Sequence, residues 1–118
     1  MHIGIDLVEI ERFQKWHLKT HTQLSKIFSE QEISYCLQNS HKSAERFAVR
    51  FAVKEATYKA LCSLLVVNKP FLTVCTALEY HNYHITVKWE KLEIRAQPIS
   101  VSVSHTHTTA VAVVIIEK

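Results

Sequence analysis

Apolar and polar residues alternate near the start of the chain. Ile3, Ile5 and Leu7 interleave with Gly4, Asp6 and Val8, a period of two that predicts a β-strand. Residues 10–27 read as a helix, with Phe13, Trp16 and Leu24 among its apolar positions. Ser29-Glu30-Gln31-Glu32 has the form of a capping box, in which the Ser hydroxyl and the Glu carboxylate satisfy orphan amides. A short helix follows through Ile33 and Leu37, and Asn39-Ser40 breaks it. A long helix is predicted over 43–64. Residues 71–80 and 83–89 are rich in Thr, Val and aromatic residues, with His81-Asn82 as the turn of a hairpin. After Pro98, Ile99, Val101 and Val103 alternate with Ser100, Ser102 and Ser104. Residues 109–116 are almost wholly apolar, as a central strand would be, and lie close enough to pair with the strand before. Repeats, low-complexity tracts and linkers are missing. The expected architecture is one α+β domain over 1–118, a mainly antiparallel sheet packed with one long and one or two shorter helices.

The long helix breaks the simple amphipathic rule. Phe47, Phe51 and Tyr58 recur at helical spacing, but Arg50, Lys54, Glu55 and Lys59 sit inside the apolar pattern. Glu55 and Lys59 are four apart and share a face, as do Arg50 and Lys54. A carboxylate among three cations on a half-buried helix suits a divalent metal and a phosphate.

Composition narrows the classes. A chain of 118 residues with 47% hydrophobic content can bury a core and is not disordered. A net charge of +3 is too small to imply nucleic acid by itself. The charge is uneven, however: Arg12, Lys15, Lys19 and Lys26 fall in a segment, 12–29, with no acid. Such a segment attracts an acidic partner. Cys36, Cys62 and Cys75 are odd in number and form no CxxC pair, which fits a reducing compartment. No signal peptide is evident, and no run approaches the roughly 18 apolar residues of a membrane helix. A cytoplasmic protein is expected.

Three segments then act together. Gly4-Ile5-Asp6-Leu7-Val8-Glu9-Ile10, the run from Arg50 to Leu61 (RFAVKEATYKAL), and Val101-Ser102-Val103-Ser104-His105-Thr106 resemble the three motifs of the holo-[acyl-carrier-protein] synthases. These form the small, single-domain branch of the 4′-phosphopantetheinyl transferases. The resemblance covers almost the whole chain, in order and at the right spacing. Taken singly, Asp6 is an ordinary strand-end acid. Glu55 and Lys59 are an ordinary helical pair, worth about 0.2–0.5 kcal/mol. The three motifs in order carry the functional reading.

The resemblance implies a magnesium-dependent transfer. A serine hydroxyl of an apo acyl carrier protein attacks the β-phosphate of coenzyme A, and adenosine 3′,5′-bisphosphate leaves. Asp6 and Glu55 match the family's metal carboxylates, and hard oxygen donors suit Mg²⁺. Lys59 matches a lysine near the phosphates and, with Glu55, is the expected catalytic pair. Glu9 matches a polar position of the first motif that could hold a metal-bound water. Ser104, His105 and Thr106 match the family's terminal segment, which contacts the coenzyme; Arg50 and Lys54 are expected on the coenzyme's phosphates, with orientation of Glu55 as the alternative for Lys54. Arg12 matches a carrier-protein contact, with Lys15 and Lys19 on neighbouring turns, and carrier proteins are acidic around the modified serine. Family members commonly form homotrimers with active sites between subunits. The implied role is in fatty acid biosynthesis, with no nucleic acid or membrane involved.

The chain departs from the family in two places. The family follows this helix with a Gly-Thr-Gly-type turn, whereas Cys62-Ser63-Leu64-Leu65 stands here, and Gly4 is the one glycine of the chain. The later Gly-Lys-Pro turn is also missing, with Leu92-Glu93-Ile94-Arg95-Ala96 in the region. These losses argue for a competing reading, a non-catalytic module that binds carrier protein, and the intact Asp6, Glu55 and Lys59 argue against it; a divergent but active enzyme is the main expectation. A third class, a small basic nucleic-acid-binding domain, lacks any RRM, KH or helix-turn-helix signature. Zinc at His105 and His107 lacks a Cys partner at standard spacing.

Overall fold

The computed structural model describes residues 1–64, 77–81, 84–88 and 99–117. Strand β1, His2–Glu9, opens the chain. Three helices follow, α1 (His21–Ser25), α2 (Glu30–Leu37) and α3 (Ser43–Leu64). Strands β2 (Ala77–His81) and β3 (His84–Lys88) form an antiparallel pair. Strands β4 (Ile99–His105) and β5 (Thr109–Ile116) complete a second antiparallel sheet of order β1-β5-β4. The α+β expectation and the central place of the 109–116 strand hold. The parts of the predicted 71–80 and 83–89 strands beyond β2 and β3, the turn residue Asn82, and residues 92–96 lie outside the described residues.

The sheet is covered on one face by α3. On β1 the residues facing the helix are Gly4, Asp6 and Val8, while Ile3, Ile5 and Leu7 face away and are exposed. The apolar alternation thus marks the strand, and the smaller residues mark its helix-bearing side. The contact is close because both surfaces are small. A Cβ at Gly4 would lie 1.8 Å from the Ala56 carbonyl oxygen and 2.8 Å from the Ala60 amide nitrogen. Ala52, Ala56 and Ala60 on α3 and Ala110 and Ala112 on β5 are all fully buried. Backbone approach sets this interface, which needs glycine on one side.

Residues 10–27 depart from the expected helix. They form two 3₁₀ turns, Ile10–Phe13 and Trp16–Leu18, followed by the five-residue α1. The cause is a second capping box. Thr20 Oγ1 accepts from the Gln23 amide at 3.2 Å, and Gln23 Oε1 accepts from the Thr20 amide at 2.9 Å. A start signal inside the apolar pattern begins a new helix there. The tight turns carry Phe13 and Trp16 onto α3, with ring centroids of Phe13–Phe51 at 5.4 Å and Trp16–Phe47 at 6.1 Å. Phe28 joins this cluster, 5.2 Å from Phe47. Tilted ring pairs of this kind contribute about 0.5–1.5 kcal/mol beyond their area.

The capping box at Ser29 is present, with the Glu32 amide donating to Ser29 Oγ at 3.3 Å and the Ser29 amide to Glu32 Oε1 at 3.0 Å. Glu32 has a further task. Its Oε1 is 3.0 Å from Lys54 Nζ, and the two side chains are 0% and 1% exposed. This buried ion pair ties the first turn of α2 to the middle of α3.

Candidate active site

Asp6 points from β1 towards α3. Lys59, one turn beyond Glu55 on that helix, donates to Asp6 Oδ1 at 3.1 Å and to the Ile5 carbonyl oxygen at 3.0 Å. The Asp6 side chain is 13% exposed and that of Lys59 is 51% exposed. Asp6 Oδ2 is buried and has no hydrogen-bond partner. Burial pushes the Glu55 carboxyl above its ordinary value, and the like charge of Asp6 pushes it further. Lys59 and Arg12 pull it back. Asp6, Lys59 and Arg12 therefore all act on Glu55.

The donor set of this cluster is two carboxylates, and a desolvated carboxylate oxygen without a partner is costly. A divalent ion of hard character fits such oxygens. Among the described residues no group of three or more His, Cys, Asp or Glu gathers as a metal cage. The cluster suits an ion that keeps waters and takes its other ligands from a phosphate. Glu9, of opposite parity to Asp6 on β1, is exposed and falls on the other side of the strand.

A second group forms between α2, α3 and β4. A cavity of about 270 Å³ is lined by Tyr35, Lys42, Glu45, Arg46, Arg50 and His105, among others. The Arg46 and Arg50 guanidinium carbons each lie 4.0 Å from the Tyr35 ring centroid, within range of cation–π attraction. Arg46 Nη1 also donates to the Tyr35 carbonyl oxygen at 2.8 Å. His105 Nε2 is 3.2 Å from Glu45 Oε1. Of the predicted residues, Arg50 and His105 meet here. Lys42, Arg46, Glu45 and Tyr35 were not expected. The spacing of Arg46 and Arg50, four apart on a helix, was the available signal.

Ser104 and Thr106 flank His105 at the β4–β5 turn. Thr106 Oγ1 accepts from the amides of Thr108 and Thr109 at 3.2 and 3.1 Å. The hydroxyl is spent on holding the turn, which lies beside a small apolar depression that also includes Leu7 and Val111.

Lys54 requires a correction. Expected on the coenzyme's phosphates, it is buried against Glu32, with its ammonium 5.8 Å from the Phe28 ring. Its neighbour Glu55 faces another way because adjacent helical residues are turned by about 100°.

Arg12, Lys15 and Lys19 share one surface. With Trp16, Leu18 and Gln23 they border an open depression of about 390 Å³. Lys19 Nζ lies 5.1 Å from the Trp16 ring, and the Arg12 guanidinium 5.1 Å from the Phe51 ring. The basic residues expected on one helix are brought together by the 3₁₀ turns instead.

Comparison with known families decides the lineage. A family model described as the 4′-phosphopantetheinyl transferase superfamily matches residues 2–114. The chain belongs to that superfamily. Among curated members of this transferase superfamily, it is similar to the holo-[acyl-carrier-protein] synthase of Geotalea daltonii, 46% identical over 59 residues, covering 49% of this chain and 46% of that one. It is also similar to that of Chlamydia caviae, 48% identical over 62 residues, covering 51% and 49%. The chain spans about half the length of the curated relatives it matches. Solved transferases extend the likeness to the whole fold. The holo-[acyl-carrier-protein] synthase of Helicobacter pylori, in complex with coenzyme A, superposes with a TM-score of 0.70 at 28% identity, covering 98% of this chain and 99% of that one. The Neisseria meningitidis protein of the same name shares the fold with a TM-score of 0.75 at 23% identity, covering 99% and 98%.

Proposed function

We propose that this chain transfers the 4′-phosphopantetheine arm of coenzyme A to a serine of an apo acyl carrier protein, as a magnesium-dependent step that serves fatty acid biosynthesis. The observation that carries the reading is the Asp6–Glu55–Lys59 cluster, with its buried, unpartnered Asp6 Oδ2, in a chain matched over 2–114 by the superfamily. The likeness to a synthase solved with coenzyme A supports the co-substrate.

Asp6 and Glu55 would hold Mg²⁺. Bound there, the ion would neutralise charge on the pyrophosphate of coenzyme A. The serine oxygen forms the new bond to the β-phosphorus, the bridging P–O bond breaks, and adenosine 3′,5′-bisphosphate leaves with the electron pair. Lys59, half exposed on a flexible stem, supplies positive charge as that leaving oxygen becomes negative. A site carboxylate or a water held beside the carboxylates would take the serine proton. Arg50, with Arg46 and Lys42, forms a basic cavity for the coenzyme's remaining phosphate, with His105 in its wall, while Ser104 and Thr106 border the neighbouring depression at the β4–β5 turn.

Arg50 and Glu55 are five residues apart, so their side chains are turned by about 140° around α3. A single copy directs its metal acids and its basic cavity to different sides. This supports a homotrimer in which one subunit's carboxylates work with a neighbour's cavity. The uncovered face of the sheet supports it further, since Ile5 and Leu7 are 56% and 65% exposed, with Ile3 beside them. The acidic carrier would dock on the Arg12–Lys15–Lys19 surface. Among the described residues no helix is long and apolar enough to cross a membrane. The test is release of adenosine 3′,5′-bisphosphate from coenzyme A. It should require both apo carrier and Mg²⁺; release without carrier would point to hydrolysis and overturn the reading.

A further inference from the structure

The contact between Lys59 and Asp6 has a thermodynamic consequence. The Lys59 ammonium sits between a carboxylate oxygen and the Ile5 carbonyl oxygen, at 3.1 and 3.0 Å. That is an oxygen environment a hard cation would also accept. Glu55, four residues earlier on the same helix face, offered an alternative partner. The ammonium instead crosses to β1 and occupies one oxygen of the carboxylate whose other oxygen, Oδ2, is left without a partner.

The local charges balance. Asp6 and Glu55 are countered by Lys59 and Arg12, the two cations that act on Glu55. A divalent ion entering alone leaves this partly desolvated site with excess positive charge. The doubly charged pyrophosphate of coenzyme A restores neutrality and gives the ammonium a new partner. Lys59 can make that exchange because it is 51% exposed and its four-carbon stem turns freely.

We propose that Lys59 competes with a divalent cation for Asp6, so that the cation and the pyrophosphate of coenzyme A bind cooperatively as the ammonium turns from Asp6 to phosphate. The inference rests on the metal reading of Asp6 and Glu55. Linkage requires the effect to be reciprocal: each ligand raises the affinity for the other by the same factor.

The test is Mn²⁺ affinity of the intact protein, read from the free-ion electron paramagnetic resonance signal with and without coenzyme A. Manganese held by free coenzyme is subtracted. For the unsubstituted protein, coenzyme A should tighten Mn²⁺ about fivefold or more, the usual floor for such coupling. Lys59→Met keeps the stem and removes the charge. It should bind Mn²⁺ alone about fivefold more tightly, and coenzyme A should then tighten it less. Lys59→Arg should stay close to the unsubstituted protein. Circular dichroism confirms that each variant is folded. Unchanged Mn²⁺ affinity in Lys59→Met overturns the competition and leaves the transferase reading standing. Absence of Mn²⁺ binding to the unsubstituted protein, even with coenzyme A, overturns the metal assignment and this inference with it.

Discussion

Gly4 and Ala56 meet backbone to backbone: a Cβ on Gly4 would stand 1.8 Å from the Ala56 carbonyl oxygen. The contact lies between the strand that carries Asp6 and the helix that carries Glu55. It therefore sets the spacing of the two carboxylates. Gly4→Ala should force the elements apart, cost about 3 kcal/mol and lower the urea midpoint. Variant that still folds should lose transfer activity out of proportion to its loss of stability. A neutral substitution in urea unfolding would contradict the packing described.

The buried Glu32–Lys54 pair makes a different prediction. Removing one partner leaves a charge buried without compensation, so Lys54→Met should cost about 3–5 kcal/mol. Replacing both, Glu32→Gln with Lys54→Met, should recover much of that loss. Chemical denaturation of Lys54→Met, Glu32→Gln and the double variant gives the coupling directly. Equal losses for the single and double variants would mean that the pair is not the source.

Both contacts show what the sequence could and could not reveal. The strands, the long helix and the order of elements were legible because periodicity survives without tertiary context. Asp6, Glu55 and Lys59 were legible as a motif and do converge. The helix predicted over 10–27 was not, because the start signal at Thr20 sits inside an apolar pattern. Lys54 was misplaced for a related reason. Spacing along α3 puts it next to Glu55, but only α2 packing reveals that Glu32 has already taken its charge. The basic cavity was half legible, since Tyr35 and Glu45 reach it from positions with no motif of their own.

Glu55 gives stability a pH dependence. Burial and Asp6 raise its carboxyl in the folded state, so folding favours its protonated form. Its contribution is most favourable below the ordinary carboxylate value and is lost as pH rises through the raised folded value. Glu55→Gln should therefore be more stable than the unsubstituted protein at neutral pH, in metal-free buffer. The difference should vanish on acidification. Thermal melts across pH 3–8, about the span of carboxylate titration, test the sign. A Gln variant less stable at neutral pH would contradict it.

Docking of the carrier should depend on the basic surface. Arg12 also acts on Glu55, so Lys15→Glu is the cleaner probe. It should raise KM for the carrier about two- to fivefold and leave KM for coenzyme A unchanged. Added salt should narrow the gap between variant and parent. A shift in both KM values would place Lys15 at the coenzyme instead.

The most direct test of the central claim is the intact mass of an apo acyl carrier protein after incubation with this protein, coenzyme A and Mg²⁺. The carrier should gain one phosphopantetheine, and the gain should disappear with a chelator and with Asp6→Ala. An unchanged mass, with several carriers tried and the protein shown to be folded, would contradict the transferase and favour a carrier-binding module without catalysis.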